Sequence, residues 1–227
     1  MADRLREMKS SQFSFALLFA LYAAASSVSA AEQFEPPRFP LDVAPSSTLS
    51  SAPASSVALG AVVVQFDETT LSQALGQIGV GNISHRGDAA ESVYWLCYSV
   101  LERSERLWLL SSGEMGGEEH VIYGIAARAS SVRVSTANCP ELPRALRPLK
   151  LDSAIWLGAP VSDIRKRFGK PSLQQNSWLH YESRRELADD PRAKQWGADT
   201  FYEVGGLSVR VGAGKVVELW ATKSGSD

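Results

Sequence analysis

Two stretches of the chain share an order of apolar and polar positions that ends in a glycine. In each stretch two apolar residues stand four positions apart and a glycine follows directly: Leu71, Leu75 and Gly76, then Ile164, Phe168 and Gly169. A spacing of four puts both apolar side chains on one face of a helix. Glycine suits the left-handed residue that ends a helix, and a short polar residue caps its start. The pattern predicts two short helices, capped by Asp67 and Ser162 and closed by the two glycines.

Each predicted helix is followed by the motif W-L-x-Y, at residues 95–98 and again at residues 178–181. Alternating aromatic and branched side chains favour β-strands. Further strands are predicted at 107–110 and 121–125 after the first motif, and at 200–204, 207–211 and 216–221 after the second. Glycines separate the strands of the second set, where tight hairpins need a positive φ.

This order of a helix followed by several strands is typical of an α+β fold, because parallel β-α-β units would alternate helices with strands. We expect two tandem modules, each a short helical element packed on a small antiparallel sheet. The first module is placed at residues 57–135 and the second at residues 151–227. Residues 136–150 contain Pro140, Pro143 and Pro148, and they are predicted to form a stiff joint between the modules.

Residues 1–30 have the three-part layout of a secretory signal peptide. A basic start with Arg4, Arg6 and Lys9 leads into an apolar stretch at 13–25 and then into the sequence V-S-A, which ends at Ala30. The apolar stretch is shorter than the ~20 residues of a membrane-spanning helix. Small residues at its end mark a cleavage site. We expect cleavage after Ala30, or after Ala31, and a mature protein outside the cytoplasm that is not integral to the membrane.

The residues after the signal, 31–56, are rich in proline, serine and alanine and show no apolar period. Proline removes backbone donors, and serine and alanine offer little surface to bury. The composition predicts a flexible linker.

The chain has two cysteines, Cys97 and Cys139. An exported protein meets an oxidising compartment, so this pair predicts one disulfide that would pin the joint to the first sheet. The net charge of the full chain is −2, and the five charged residues of the signal sum to +1, which leaves −3 after cleavage. Such a balance offers no broad basic face, and nucleic acid is not an expected partner.

The segment 156–171, W-L-G-A-P-V-S-D-I-R-K-R-F-G-K-P, resembles the opening of SmpA/OmlA-type envelope domains. Those domains begin with a strand, Leu-Gly, a polar turn and a helix that ends in Leu/Phe-Gly-x-Pro. Two such modules in tandem resemble the architecture of beta-lactamase inhibitor proteins. The resemblance covers residues 151–223 well and residues 59–128 through fewer positions, and the chain lacks the lipidated cysteine of the envelope lipoproteins. It implies a non-enzymatic protein, periplasmic or secreted from a Gram-negative-like envelope, that binds another protein or an envelope component.

The binding surface is expected on the exposed sheet faces and at the joint. Tryptophan is enriched in the hot spots of protein interfaces. The candidate partner-binding residues are therefore Trp95, Trp108, Trp178 and Trp196.

No catalytic residue, metal site or cofactor is expected. The three histidines, His85, His120 and His180, lie in no nucleophile or zinc motif. Two alternatives remain open at this stage. One is a small secreted hydrolase that uses His120 with Glu114, Glu118 or Glu119, and the other is a purely structural envelope protein without a discrete ligand.

Overall fold

Eight of the eleven strands in the described part of the chain form one continuous antiparallel sheet. The computed structural model describes residues 34–41, 46, 49–88, 92–113, 121–131, 133–187, 191 and 200–226. Residues 34–227 form one compact unit. The strands are β1 (Ser56–Leu59), β2 (Val62–Gln65), β3 (Ser84–Arg86), β4 (Val93–Val100), β5 (Glu105–Ser112), β6 (Gly124–Ala129), β7 (Leu149–Leu151), β8 (Leu173–Gln175), β9 (Trp178–Glu186), β10 (Tyr202–Gly212) and β11 (Lys215–Ser226), and the α-helices are α1 (Leu71–Ile78) and α2 (Val161–Phe168).

The long sheet has the strand order β3-β4-β5-β6-β11-β10-β9-β8. It consists of two four-stranded meanders, β3 to β6 and β8 to β11, which meet where β6 pairs with β11. The pairing at this junction runs from Arg128 opposite Glu218 to Gly124 opposite Thr222. A second, three-stranded sheet has the order β2-β1-β7.

One face of the long sheet is covered by both helices and by the three-stranded sheet. Their apolar side chains share a single core with alternate residues of the long strands, and this core includes Leu71 of α1, Ile164 of α2 and Val57 of β1. We call this side the helix face. Successive side chains of a strand point to opposite faces. The remaining residues of the long strands therefore form a second face, named here the tryptophan face because it carries Trp95, Trp108, Trp178 and Trp220.

The predicted α+β fold of two tandem modules is wrong. The sheets expected to belong to separate modules are joined by the hydrogen bonds between β6 and β11 into one sheet. α-Helix in the described residues is limited to α1 and α2, each eight residues long. An unpaired strand edge exposes a row of backbone donors and acceptors, and the pairing of β6 with β11 removes one such edge from each meander. The result is a β-rich fold with two sheets.

The helix ends differ in part from those predicted. α1 begins after Thr70, whose hydroxyl accepts from the backbone N–H of Gln73 while the Gln73 side chain accepts from the backbone of Thr70. Its last turn passes through Gly76 and ends at Gly79, which has a φ of 80°. Asp67 and Gly76 are thus not its caps. In α2 the N-cap position is Pro160 rather than Ser162, and Gly169 closes the helix as predicted, with a φ of 73°.

The predicted disulfide between Cys97 and Cys139 is confirmed. Both cysteines are buried, and the bridge ties the proline-rich joint to β4. Backbone hydrogen bonds of Ser99 to Pro140 and Leu142 extend the same attachment. Such a buried bridge is typical of proteins that fold in an oxidising compartment. The predicted signal peptide, residues 1–30, and its predicted cleavage site lie outside the described residues.

Within the described ranges, no helix has the length and apolar character needed to cross a membrane.

Candidate functional site

The tryptophan face is organised in rows, because the strand register places particular residues side by side. Within an antiparallel pair, directly opposite residues point to the same face and touch across the strands. Two neighbouring rows have a distinct chemistry. The charged row consists of Arg106, Arg128, Glu218 and Arg210, from β5, β6, β11 and β10. The aromatic row consists of Cys97, Trp108, Ala126, Trp220, Ser208 and His180, from β4 to β9 across the sheet.

In the charged row one carboxylate is shared by two arginines. Glu218 is buried, with its side chain only 4% exposed, and its Oε1 lies 2.7 Å from the guanidinium of Arg128. Its Oε2 accepts from Nε of Arg210 at 3.0 Å. The two arginine side chains keep 42% and 40% of their surface exposed.

A third arginine, Arg106, belongs to the same row. Arg106 is buried, and burial together with repulsion from Arg128 lowers its pKa. Among the described residues, the guanidinium groups of Arg128 and Arg210 share the one carboxylate of Glu218, so this pair of ion pairs carries one excess positive charge. A ligand that brings carboxylates would balance that charge, and planar guanidinium groups match carboxylates in two-point contacts.

The aromatic row ends at a buried histidine. The Nδ1 of His180 lies 2.7 Å from the hydroxyl of Ser208, and its Nε2 lies 3.5 Å from Oε2 of Glu182. Burial lowers the pKa of His180 to about 4, so the ring is neutral near pH 7. This histidine occupies the position in its W-L-x-Y motif that Cys97 holds in the first motif, and both residues lie in the same row of the face.

A proline-containing segment, residues 34–40, crosses the tryptophan face. At one end the indole N–H of Trp108 donates to the backbone carbonyl of Phe34 at 2.9 Å. The guanidinium of Arg106 lies over the Phe34 ring, 4.5 Å from its centroid. At the other end the Phe39 ring meets Trp220 edge-on, with 5.4 Å between centroids. We call residues 34–40 the strap.

The strap is buried in its middle and exposed towards its second end. Pro36 and Pro37 are both buried, whereas Arg38 and Phe39 are exposed. Glu35 forms an ion pair with Arg86 of β3 at 3.1 Å. The described part of the region predicted as a flexible linker thus lies against the folded unit.

Three of the four predicted partner-binding tryptophans lie together on this face. Trp95 and Trp108 belong to one apolar cluster with both cysteines, and Trp178 packs against that cluster. Trp95 and Trp108 are buried, and Trp108 is in contact with the strap. Trp196 lies outside the described residues.

Sequence reasoning missed Trp220, Phe39 and the charged row. The alternation of residues 216–221 could have placed Glu218 and Trp220 on the side opposite Leu219. The sharing of Glu218 between Arg128 and Arg210 required knowledge of which strands are neighbours.

The residues of the hydrolase alternative, His120 with Glu114, Glu118 and Glu119, lie outside the described residues. Among the residues that are described, no group of three or more His, Cys, Asp or Glu side chains is placed to hold a metal ion. His85 lies on β3 with its ring tilted by 31° against that of Tyr94, at a centroid distance of 4.3 Å.

Comparison with known proteins finds no match: no family model, no curated protein and no solved structure is significantly similar to this chain.

Proposed function

We propose that this chain is an exported, non-enzymatic binding protein that holds an acidic segment of a protein partner on its tryptophan face. The resemblance of residues 156–171 to envelope domains of the SmpA/OmlA type supports the same class of function. The partner is expected in the periplasm or outside the cell.

The observation that carries the proposal is the pair of half-exposed arginines, Arg128 and Arg210, fixed by the buried carboxylate of Glu218. A guanidinium whose inner edge is already bonded loses little side-chain freedom when a ligand bonds its outer edge. Arginine and tryptophan together are typical of the residues that dominate binding energy in protein interfaces. The charged row therefore offers a rigid, net positive site next to aromatic surface.

The disulfide supports the location. Cys97 and Cys139 are both buried and joined, as expected for a protein that matures in an oxidising compartment. N-terminal sequencing of protein recovered from the periplasm or the culture fluid tests export directly. We expect a start at Ala31 or Glu32, and a start at Met1 would contradict it.

Binding is tested by capture from an envelope extract with the mature protein and two variants. Arg128→Gln removes one exposed guanidinium and leaves the contact between Arg210 and Glu218 in place. Arg185→Gln is the matched control, because Arg185 also pairs with a glutamate of a neighbouring strand, Glu203 at 3.1 Å, but points to the opposite face of the sheet.

We expect a partner that the mature protein and Arg185→Gln both retain and that Arg128→Gln loses by about tenfold or more, as for a hot-spot arginine. Raising the salt concentration should weaken the same capture, because charged rim contacts are screened. If Arg128→Gln and Arg185→Gln capture the same proteins equally well, the charged row is not the binding site.

A further inference from the structure

The strap contacts the tryptophan face through groups that recognise extended, proline-containing chains. Proline has no backbone N–H, so such a chain offers carbonyl acceptors and apolar ring surface. The indole of Trp108 supplies the matching donor, to the carbonyl of Phe34. Pro36 and Pro37, between the two anchoring phenylalanines, carry such ring surface, and both are buried. Pairs of an aromatic groove and a proline-rich segment are a recurring mode of peptide recognition.

The sequence of the strap restricts its conformation before it docks. Residues that precede a proline avoid the helical region, and this applies to Glu35, Pro36 and Phe39. An already extended segment loses less entropy when it binds than a flexible one does. The strap is in this respect a preorganised ligand for the face it lies on.

The fit of the strap is incomplete at its second end. The indole nitrogen of Trp220 is buried, and it has no hydrogen-bond partner among the described residues. The Phe39 ring packs edge-on against Trp220 but supplies no acceptor to that nitrogen, and Phe39 remains 44% exposed. A segment that placed a carbonyl at Trp220 would satisfy a donor that the strap leaves unpaired, and a buried unpaired donor is costly.

We infer that the aromatic row is a binding site for proline-rich segments with aromatic ends, and that the strap is its internal occupant. This inference deepens the proposed function, on which it rests, by naming the class of segment that the partner presents. The partner's segment displaces the strap from Trp108 and Trp220, while acidic residues beside it pair with Arg128 and Arg210. A tethered occupant acts at a high effective concentration. A ligand of low affinity therefore does not displace the strap.

The test uses the mature chain and a synthetic peptide with the sequence of residues 31–41, AEQFEPPRFPL. The double variant Phe34→Ala/Phe39→Ala weakens the docked strap. We expect the peptide to bind this variant at least about tenfold more tightly than it binds the unchanged chain, because the tethered strap competes with it in the latter. Calorimetry gives the affinities, and quenching or shift of tryptophan fluorescence reports contact with the face.

Three changes address the chemistry of recognition, one in the peptide and two in the protein. A peptide with both Pro36 and Pro37 replaced by glycine should bind about tenfold more weakly, because it loses preorganisation. In the double variant, Trp108→Phe removes the donor to the peptide carbonyl and should weaken binding several-fold. Trp156→Phe changes a buried tryptophan of the core on the helix face, whose indole N–H donates to Glu105, and it should leave the affinity unchanged.

The outcomes separate this inference from the proposed function. If the folded double variant binds no peptide, or binds the glycine-substituted peptide equally well, the inference fails, whereas the capture that depends on Arg128 is unaffected. If that capture fails and the peptide still binds through Trp108, the proline-binding site stands without the acidic site. Should the double variant not fold, Phe39→Ala alone serves, since Phe39 is half-exposed; peptide affinity equal to that of the unchanged chain then overturns the inference.

Discussion

Glu218 of β11 lies directly opposite Arg128 of β6, at the junction where the two meanders of the long sheet become one. The distance from its Oε1 to the guanidinium is 2.7 Å, and Arg210 of β10 holds its other oxygen. Burying a carboxylate almost fully away from water costs desolvation energy, and paired arginines offset that cost. The ion pair therefore fixes the junction of the sheet and at the same time shapes the proposed binding site.

Replacement of Glu218 by glutamine should destabilise the protein by about 2–4 kcal/mol, because both arginines lose their counter-charge in a partly buried place. Glu203 offers a matched control, since it also pairs with two cations, Arg185 and Lys223, but is more exposed. Glu203→Gln should cost less than about 1 kcal/mol, as for pairs near the surface. Urea unfolding of the two variants gives the comparison. Equal losses of unfolding free energy in the two variants would show that burial does not make the ion pairs of Glu218 more stabilising than those of Glu203.

The disulfide should contribute about 2–4 kcal/mol, since it closes a loop with a sequence separation of 42 residues. Cys97→Ser/Cys139→Ser should lower the free energy of unfolding by that amount, and reductant should do the same to the unchanged chain. The stability of the double variant should not change with reductant, because it has no disulfide left to reduce, and it therefore serves as the control for the reductant itself. Peptide mapping without reduction should find one linked pair, and two freely alkylated cysteines would contradict the bridge.

Two glycines that look equivalent in the sequence should respond in opposite ways to alanine. Gly76 lies inside α1, and outside its own helix backbone and chain neighbours no atom lies within 4 Å of an added Cβ, so Gly76→Ala should stabilise by about 0.5–1 kcal/mol. Gly169 closes α2 with a positive φ, which opposes any side chain, so Gly169→Ala should destabilise by about 1 kcal/mol. Thermal melts of both variants test this. A loss of stability from Gly76→Ala would mean that α1 ends where the sequence pattern had placed its end.

Local sequence signals were sufficient for the parts of the fold that depend on neighbouring residues. The W-L-x-Y motifs predicted β4 and β9, and the spacing of Ile164 and Phe168 predicted α2 with its closing glycine. The end of α1 was misplaced because glycine is tolerated within a helix, and only the backbone conformation at Gly79 distinguishes the true cap. The cysteine count gave the bridge, since two cysteines allow one pairing.

The fused sheet and the site could not be predicted, because both depend on contacts between distant residues. Nothing local in β6 indicates that β11, 90 residues away at the pair Arg128 and Glu218, is its neighbour. The tryptophans could be named as candidates by residue type alone. Their arrangement in rows follows from strand register, and the strap could not be expected on them because its composition is typical of a linker.

Stability should fall as the pH is lowered from about 6.5 to about 4, because of His180. The unfolded chain takes up a proton on this residue near pH 6.5, whereas burial lowers the pKa of the folded ring to about 4. Between these values the unfolded state binds more protons, and acidification therefore favours unfolding. The full contribution of the neutral, buried ring is present above pH 6.5. It is lost progressively on the way to pH 4, by an amount on the order of 3 kcal/mol.

A second titratable group, Glu182, lies beside His180 and acts in the opposite direction. Burial raises the pKa of Glu182, so its folded carboxyl takes up a proton at a higher pH than the unfolded one and gains stability as the pH falls. The effect of His180 is therefore measured as the difference in pH-dependent stability between the unchanged chain and the variant His180→Gln. Urea melts of the unchanged chain and of His180→Gln, at several pH values from 7 to 4.5, contain the same contribution from Glu182. The unchanged chain should lose more stability than His180→Gln over this range, whatever constant offset the substitution adds through Ser208. Parallel pH profiles for the two proteins would show that His180 is protonated as readily in the fold as in the unfolded chain.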